Sequence, residues 1–215
     1  MKTIPLKDAV AMIPDGASVM IGGFMAVGTP ERLVDELVRQ GKRDLTVIAN
    51  DNALPGVGIG KLISAGAVKK TIASHIGLNP ETQKKMLAGE LEVDLVPQGT
   101  LVERIRAGGF GLGGVLTPTG VGTVVEKGKQ RIEVGGKPYL LETALRADFA
   151  LVQAFLADYI GNLYYALTAR NFNPLMAMAA DTVIVDADNI VPVGVIAPDN
   201  VVTPAPVVDY IISHA

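Results

Sequence analysis

The stretch Ala17-Ser18-Val19-Met20-Ile21-Gly22-Gly23-Phe24-Met25-Ala26-Val27-Gly28-Thr29-Pro30 decides how the chain is read. Ala17 to Ile21 is apolar enough for a strand buried on both faces. Gly22-Gly23 stops that strand. Thr29 then reads as an N-cap and Pro30 as the first residue of a helix. Arg32-Leu33-Val34 follow, Leu37 and Val38 continue the apolar stripe, and Gly41 ends it. Glycines between strand and helix let a ligand approach the backbone. Their N–H groups, beside a helix N-terminus, suit an anion or a developing oxyanion. The plainer reading of the same residues is a tight turn with glycine for packing.

The alternation continues on both sides. Upstream, Lys7–Ile13 reads as a short amphipathic helix and Asp15-Gly16 as a turn. Downstream, strands are predicted at Leu45–Ala49, Lys70–Ala73, Val93–Val96, Phe149–Ala154, Asn162–Leu167 and Thr182–Val185, with a short terminal one at Val201–Val202. Helices are predicted near Gly60–Ala65 and at Pro80–Ala88, Thr100–Ala107 and Asn173–Ala180. Two β-type runs around Gly135-Gly136 predict a hairpin over Arg131–Leu141. This order gives an α/β fold: an open, mainly parallel sheet sandwiched by helices, Rossmann-like, with a small antiparallel insertion between Arg131 and Leu167. No linker divides residues 1–215, so a single domain is expected.

Composition narrows the function. Hydrophobic residues make up 49% and charged residues 19% of the 215, which excludes disorder. The net charge of −3, with no Lys/Arg run beyond two residues, gives no sign of nucleic-acid binding. Cysteine is absent, which removes disulfides, thiolate nucleophiles and zinc–thiolate sites, and fits a cytoplasmic protein. The start MKTIPLKDAVAMIPDG carries charges and prolines where a signal peptide needs an apolar run. No run of about 18 apolar residues predicts a membrane span. A mean hydropathy of +0.35 is high and points to a large core and an oligomer interface.

Other polar groups fall at strand ends, where open α/β sheets bind ligands. Gln98, in Val96-Pro97-Gln98-Gly99-Thr100, offers an amide, and Thr100 can cap the following helix. Asn50-Asp51-Asn52 ends another strand, a pattern also common in plain turns. Gly108 to Gly122 holds seven glycines in fifteen residues and reads as a loop. Within it, Gly109 to Gly114 matches G-x-G-x-x-G, but a helix precedes it, so a dinucleotide fingerprint is rejected. His75 reads as a local hydrogen-bonding residue, and His214 lies at the chain end. Glu126, Glu133 and Glu142 fall in segments that read as exposed. The chain offers an oxyanion-type site without an evident nucleophile.

These residues also resemble a family. Asp15-Gly16-x-x-Val19-Met20-Ile21-Gly22-Gly23-Phe24-x-x-x-Gly28-x-Pro30 is similar to the signature of class I coenzyme A (CoA) transferases. So are Pro97-Gln98-Gly99-Thr100-Leu101, Arg104-Ile105-Arg106-Ala107-Gly108-Gly109, Asp158-x-x-Gly161-Asn162 and Asn171-Phe172-Asn173. The likeness covers essentially the whole chain and is nearest to the alpha subunits of acetate/acetoacetate enzymes.

The resemblance implies a ping-pong transfer of CoA between an acyl-CoA and a short-chain carboxylate or 3-oxoacid. It implies a beta-subunit partner, as α2β2, whose glutamate forms a glutamyl-CoA thioester. No Ser-Glu-Asn-Gly-type motif stands in this chain; the nearest candidate, Gly89-Glu90, is followed by Leu91-Glu92. No catalytic residue is therefore expected here. The resemblance makes Gly22, Gly23, Phe24, Met25, Ala26, Val27 and Gly28 the oxyanion and CoA-facing turn. It places Gln98 and either Asn50 or Asn52 near the substrate. It implies no metal and no permanent cofactor, since the CoA thioester is itself a substrate, and no membrane partner. A non-catalytic ligand-binding or structural subunit, or a sugar-phosphate isomerase-like domain, is the alternative.

Overall fold

The computed structural model describes residues 2–213; His214 lies outside them. In chain order the elements are β1 (Thr3–Ile4), α1 (Leu6–Ala11), β2 (Ser18–Ile21), α2 (Glu31–Arg39), β3 (Leu45–Asp51), α3 (Gly60–Ser64), β4 (Val68–His75), α4 (Pro80–Leu87), β5 (Glu92–Leu95) and α5 (Gln98–Gly109). There follow β6 (Gly114–Thr117), β7 (Arg131–Val134), β8 (Lys137–Thr143), β9 (Ala147–Asp158), β10 (Leu163–Tyr164), α6 (Asn173–Met178), β11 (Ala180–Val191) and β12 (Tyr210–Ile212).

The main sheet runs β1-β12-β11-β9-β2-β3-β4-β5, with every neighbouring pair parallel, and β10 pairs antiparallel with β9. Both faces are covered, so the strands carry apolar residues on both sides. In β2, Met20 enters one core with Ile48, Leu101, Ile105, Phe172 and Met176, the side of α5 and α6. Val19 and Ile21 enter the other with Val10, Leu33, Val34, Leu37, Leu62 and Ile63, the side of α1, α2 and α3. Burying each such side chain contributes about 1.5–3 kcal/mol. The strand order turns back between β2 and β9: β3, β4 and β5 extend one way, β11 and β12 the other. That switch point, at the carboxyl ends of β2 and β9, is where a crevice opens in such sheets.

A separate three-stranded antiparallel sheet, β6-β8-β7, is the small insertion. Its hairpin turns at Gly135-Gly136, both with positive φ (59° and 74°). The insertion differs from the expected Arg131–Leu167. It draws its third strand, Gly114–Thr117, from the glycine-rich segment, and β9 belongs to the main sheet. Gly108 and Gly109 close α5, where a β-carbon would strike Leu145 O and the Met178 side chain, so packing accounts for them.

Several local expectations give way to longer-range contacts. Thr29 does not cap α2. Its hydroxyl turns back and donates to Gly22 O at 3.1 Å, and Pro30 takes the capping position. Thr100 does not cap α5, which starts at Gln98, and its buried hydroxyl has no hydrogen-bond partner among the described residues. Glu142 is buried and ion-paired with Lys129 at 2.5 Å. His75 is exposed at the end of β4, and its imidazole makes no hydrogen bond among the described residues. Asn162–Leu167 yields only the two-residue β10, and the terminal strand is Tyr210–Ile212 rather than Val201–Val202. No helix among the described residues is long and apolar enough to cross a membrane.

Candidate active site

The glycine segment lies at the switch point. Gly22 N–H continues the ladder and donates to Leu151 O of β9 at 3.0 Å. Gly23 follows with φ +121°, a conformation L side chains rarely adopt, and a β-carbon there would overlap the Thr29 hydroxyl. Phe24 to Val27 then form a two-residue hairpin. Phe24 N–H donates to Val27 O at 3.0 Å and Val27 N–H to Phe24 O at 2.9 Å. Its central residues, Met25 and Ala26, have φ of 49° and 68°. Such left-handed geometry costs roughly 1–2 kcal/mol per non-glycine residue.

These bonds sort the donors of the turn. Gly22, Phe24 and Val27 spend their N–H groups on carbonyls, and Met25 N–H goes to Asp51 Oδ2 at 2.9 Å. Among the described residues, the N–H groups of Gly23, Ala26 and Gly28 have no partner. These three are the turn's uncommitted backbone donors, while the bonds of Gly22 and Phe24 shape the turn. The Phe24 and Val27 side chains stand exposed and, with Met25, Thr168, Arg170 and Asn171, line an apolar recess of about 510 Å³.

The second motif region braces the turn from the α6 side. Asn173 is fully buried. Its Nδ2 donates to Gly28 O (2.8 Å) and Ala169 O (3.0 Å), and its Oδ1 accepts Gln153 N–H at 3.0 Å. Asn171 Nδ2 donates to Val27 O at 3.1 Å, and Phe172 is buried in the core. Asp158, Gly161 and Asn162 serve a different loop. Asp158 Oδ1 accepts three successive N–H groups, from Ile160, Gly161 and Asn162.

Across the sheet edge, Gln98 and Asn50 meet. Gln98 Nε2 donates to Asn50 Oδ1 at 2.7 Å, and Gln98 is exposed while Asn50 is buried. Asn52 faces elsewhere. Its Oδ1 accepts the Thr71 hydroxyl at 3.1 Å, its carbonyl accepts Asn79 Nδ2 at 3.0 Å, and it is 1% exposed. Of the two asparagines, Asn50 is the one joined to Gln98, and Asn52 ties β3 to β4 and to the start of α4.

A cleft of about 620 Å³ flanks the turn, lined in part by Val27, Gly28, Arg32, Gln153, Thr168 and Asp186. Its carboxylates are all engaged. Asp186 pairs with Arg32 (Nε–Oδ1 2.9 Å), Glu31 with Lys61 at 2.7 Å, and Asp188 accepts Gln153 Nε2 at 2.9 Å. Burial pushes the Asp186 carboxyl up from its ordinary value, and the Arg32 guanidinium opposes that rise. Nothing in the local sequence marks Asp51 or Asp186 as neighbours of the turn, because each meets it through the fold.

The coenzyme A transferase family model matches residues 3–214. The chain belongs to the coenzyme A transferase family. It is 58% identical over 211 residues to the acetate CoA-transferase subunit alpha of Escherichia coli K12, spanning 98% of this chain and 96% of that one. It is 53% identical to the acetoacetyl-CoA:acetate/butyrate CoA transferase alpha subunit of Clostridium acetobutylicum, over 99% and 98% of the two chains. A solved structure of a variant of the decarboxylase AibA/AibB superposes with a TM-score of 0.81 at 32% identity, covering 99% of this chain and 83% of that one. Family membership favours the transferase reading over an isomerase-like or purely structural one.

Proposed function

We propose that this chain is the alpha-type half of a CoA transferase that exchanges CoA between a short-chain acyl-CoA and a short-chain carboxylate or 3-oxoacid, of the acetate/acetoacetate kind. A beta-type partner supplies the nucleophilic glutamate, in an assembly with two copies of each chain. The observation that carries this reading is the pairing of free backbone donors on Gly23, Ala26 and Gly28 with a surrounding set of carboxylates that all have partners. The site can receive negative charge and has no free carboxylate to begin the reaction. The identities of 58% and 53% to transferase subunits, against 32% to a decarboxylase, support transfer over decarboxylation.

The partner's carboxylate adds to the thioester carbonyl carbon, and the carbonyl oxygen becomes an oxyanion. Collapse breaks the C–S bond, releases CoA thiolate and leaves a mixed anhydride. The thiolate then attacks the glutamyl carbonyl, which frees the first carboxylic acid as its carboxylate and leaves a glutamyl-CoA thioester. The second carboxylate runs these steps in reverse. Negative charge develops twice in each half-reaction, once on the acyl carbonyl oxygen and once on the glutamyl carbonyl oxygen. Donors fixed by a strained turn meet it without reorganising, and one such donor is typically worth about 10²–10³ in kcat. Gln98 contributes a side-chain amide from the facing strand end. The apolar recess beside Phe24 and Val27 takes the alkyl part of the thioester. CoA acts as substrate and no permanent cofactor takes part. The cysteine-free composition suits the reducing cytoplasm.

The test mixes the purified chain with a beta-type subunit, acetoacetyl-CoA and acetate, and follows acetyl-CoA by chromatography. Acetyl-CoA forms only when both chains are present. Exchange catalysed by this chain alone, or carbon dioxide release in place of exchange, would refute the proposal.

A further inference from the structure

Asp51 sits between the glycine turn and the amide pair, and the sequence alone gives it no more than a place in a run of Asx residues. It is 5% exposed. Its Oδ2 accepts Met25 N–H at 2.9 Å and Asn50 Nδ2 at 2.6 Å, and its Oδ1 accepts Ala53 N–H at 2.8 Å. We infer that Asp51 is a positioning residue, whose carboxylate holds the Met25–Ala26 turn and orients the Gln98 amide through Asn50. The inference rests on the transferase reading above.

The direction of this chain of bonds follows from donor and acceptor chemistry. An ionised carboxylate only accepts. The Asn50 group facing it must be the NH2 end, so Asn50 Oδ1 points the other way, toward Ser74 and Gln98. Gln98 Nε2 donates to that oxygen at 2.7 Å, and Ser74 Oγ, which donates to the Asn50 carbonyl at 2.7 Å, lies 3.2 Å from it. With its NH2 committed to Asn50, Gln98 holds a fixed orientation: Oε1 and the second N–H remain for the substrate. One carboxylate thus sets the sense of two amides, and aligned bonds of this kind reinforce one another. The same oxygen holds Met25 N–H in a backbone conformation that costs roughly 1–2 kcal/mol per residue to maintain.

The test uses the enzyme assembled with its beta-type partner. Asp51→Asn keeps the shape and removes the acceptor-only character. It is expected to lower kcat about 10- to 100-fold, the scale of a small misplacement in an active site. The KM for acyl-CoA should stay within about twofold, because binding is left intact. In a Gln98→Ala background the same change should cost several-fold less, because the amide it orients is gone and only its hold on the Met25 turn remains to be lost. Asn50→Leu cuts the link in its middle and is expected to show the same non-additivity, which keeps the inference testable if Asp51→Asn does not fold. Full turnover by Gln98→Ala alone overturns the site reading itself. An impaired Gln98→Ala enzyme whose effect multiplies independently with Asp51→Asn, or with Asn50→Leu, overturns the positioning role and leaves the site reading standing.

Discussion

Asn173 lies directly against Gly22: a β-carbon on that glycine would overlap the asparagine Oδ1, while the asparagine Nδ2 holds Gly28 O at 2.8 Å. Two stretches far apart in the chain thereby form one object. The glycine admits the amide, and the amide holds the far end of the turn at Gly28.

Gly22→Ala forces that overlap and should destabilise the chain by about 1–3 kcal/mol, the usual cost of overpacking. Urea unfolding measures it. Asn173→Ala alone strands Gln153 N–H, Gly28 O and Ala169 O and should also destabilise. Because Asn173→Ala removes the atom that clashes, the double variant should lose less than the two single losses added together. Simple additivity would deny the contact.

Asn52 and Gln98 should separate stability from turnover. Asn52→Ala strands a buried partner at Thr71 and should cost about 1–3 kcal/mol in unfolding, with kcat of the assembled enzyme changed by no more than about twofold. Gln98→Ala is at the surface and should leave unfolding nearly untouched while kcat falls about 10²-fold. Equal effects of both on kcat would put Asn52 back beside the substrate.

Arg32→Met leaves the Asp186 carboxylate buried without its guanidinium. At neutral pH this should cost about 2–3 kcal/mol, less than for a fully buried pair because Arg32 is partly exposed. Burial already raises the folded-state value of Asp186 above its unfolded one, and losing Arg32 raises it further. The folded state then binds the proton more readily, so the cost is full above the folded value and fades as pH falls through it. Urea midpoints of both proteins across that range should converge at acid pH; a constant gap would contradict the assignment.

The Asp148 carboxyl is shifted in the opposite direction, by Ser18. The serine hydroxyl and N–H donate to Asp148 Oδ2 at 2.6 and 2.8 Å and hold that carboxyl below its ordinary value. A depressed value contributes stability that is present above the unfolded carboxylate range, about pH 4, and is lost as pH falls through the folded value. Asp148 is exposed, so Ser18→Ala should cost under about 1 kcal/mol at neutral pH. The cost should vanish in acid, as read by the same titration of unfolding midpoints.

The parallel sheet is legible in the sequence because buried strands such as β3 are continuous apolar runs and helices such as α2 bury Leu33, Val34 and Leu37 on one face. Patterning fails where a distant partner decides. Thr29 looks like a cap until the Gly22 carbonyl claims its hydroxyl. Glu142, on β8, looks exposed until Lys129 pairs with it. The long strands β9 and β11 overrun their apolar centres, since Asp148 and Asp186 keep strand geometry with their charges satisfied by Ser18 and Arg32. In the candidate site the glycines are visible locally, whereas Asp51 and Asp186 acquire their places only through the strand order.

The central claim is that this chain steadies the thioester oxygen and carries no nucleophile. Intact-mass spectrometry of both chains, taken after the assembled enzyme meets acyl-CoA without an acceptor acid, tests it most directly. The account predicts a CoA adduct on the partner chain and an unchanged mass for this one. A CoA adduct on any glutamate of this chain, Glu90 and Glu31 included, would contradict it.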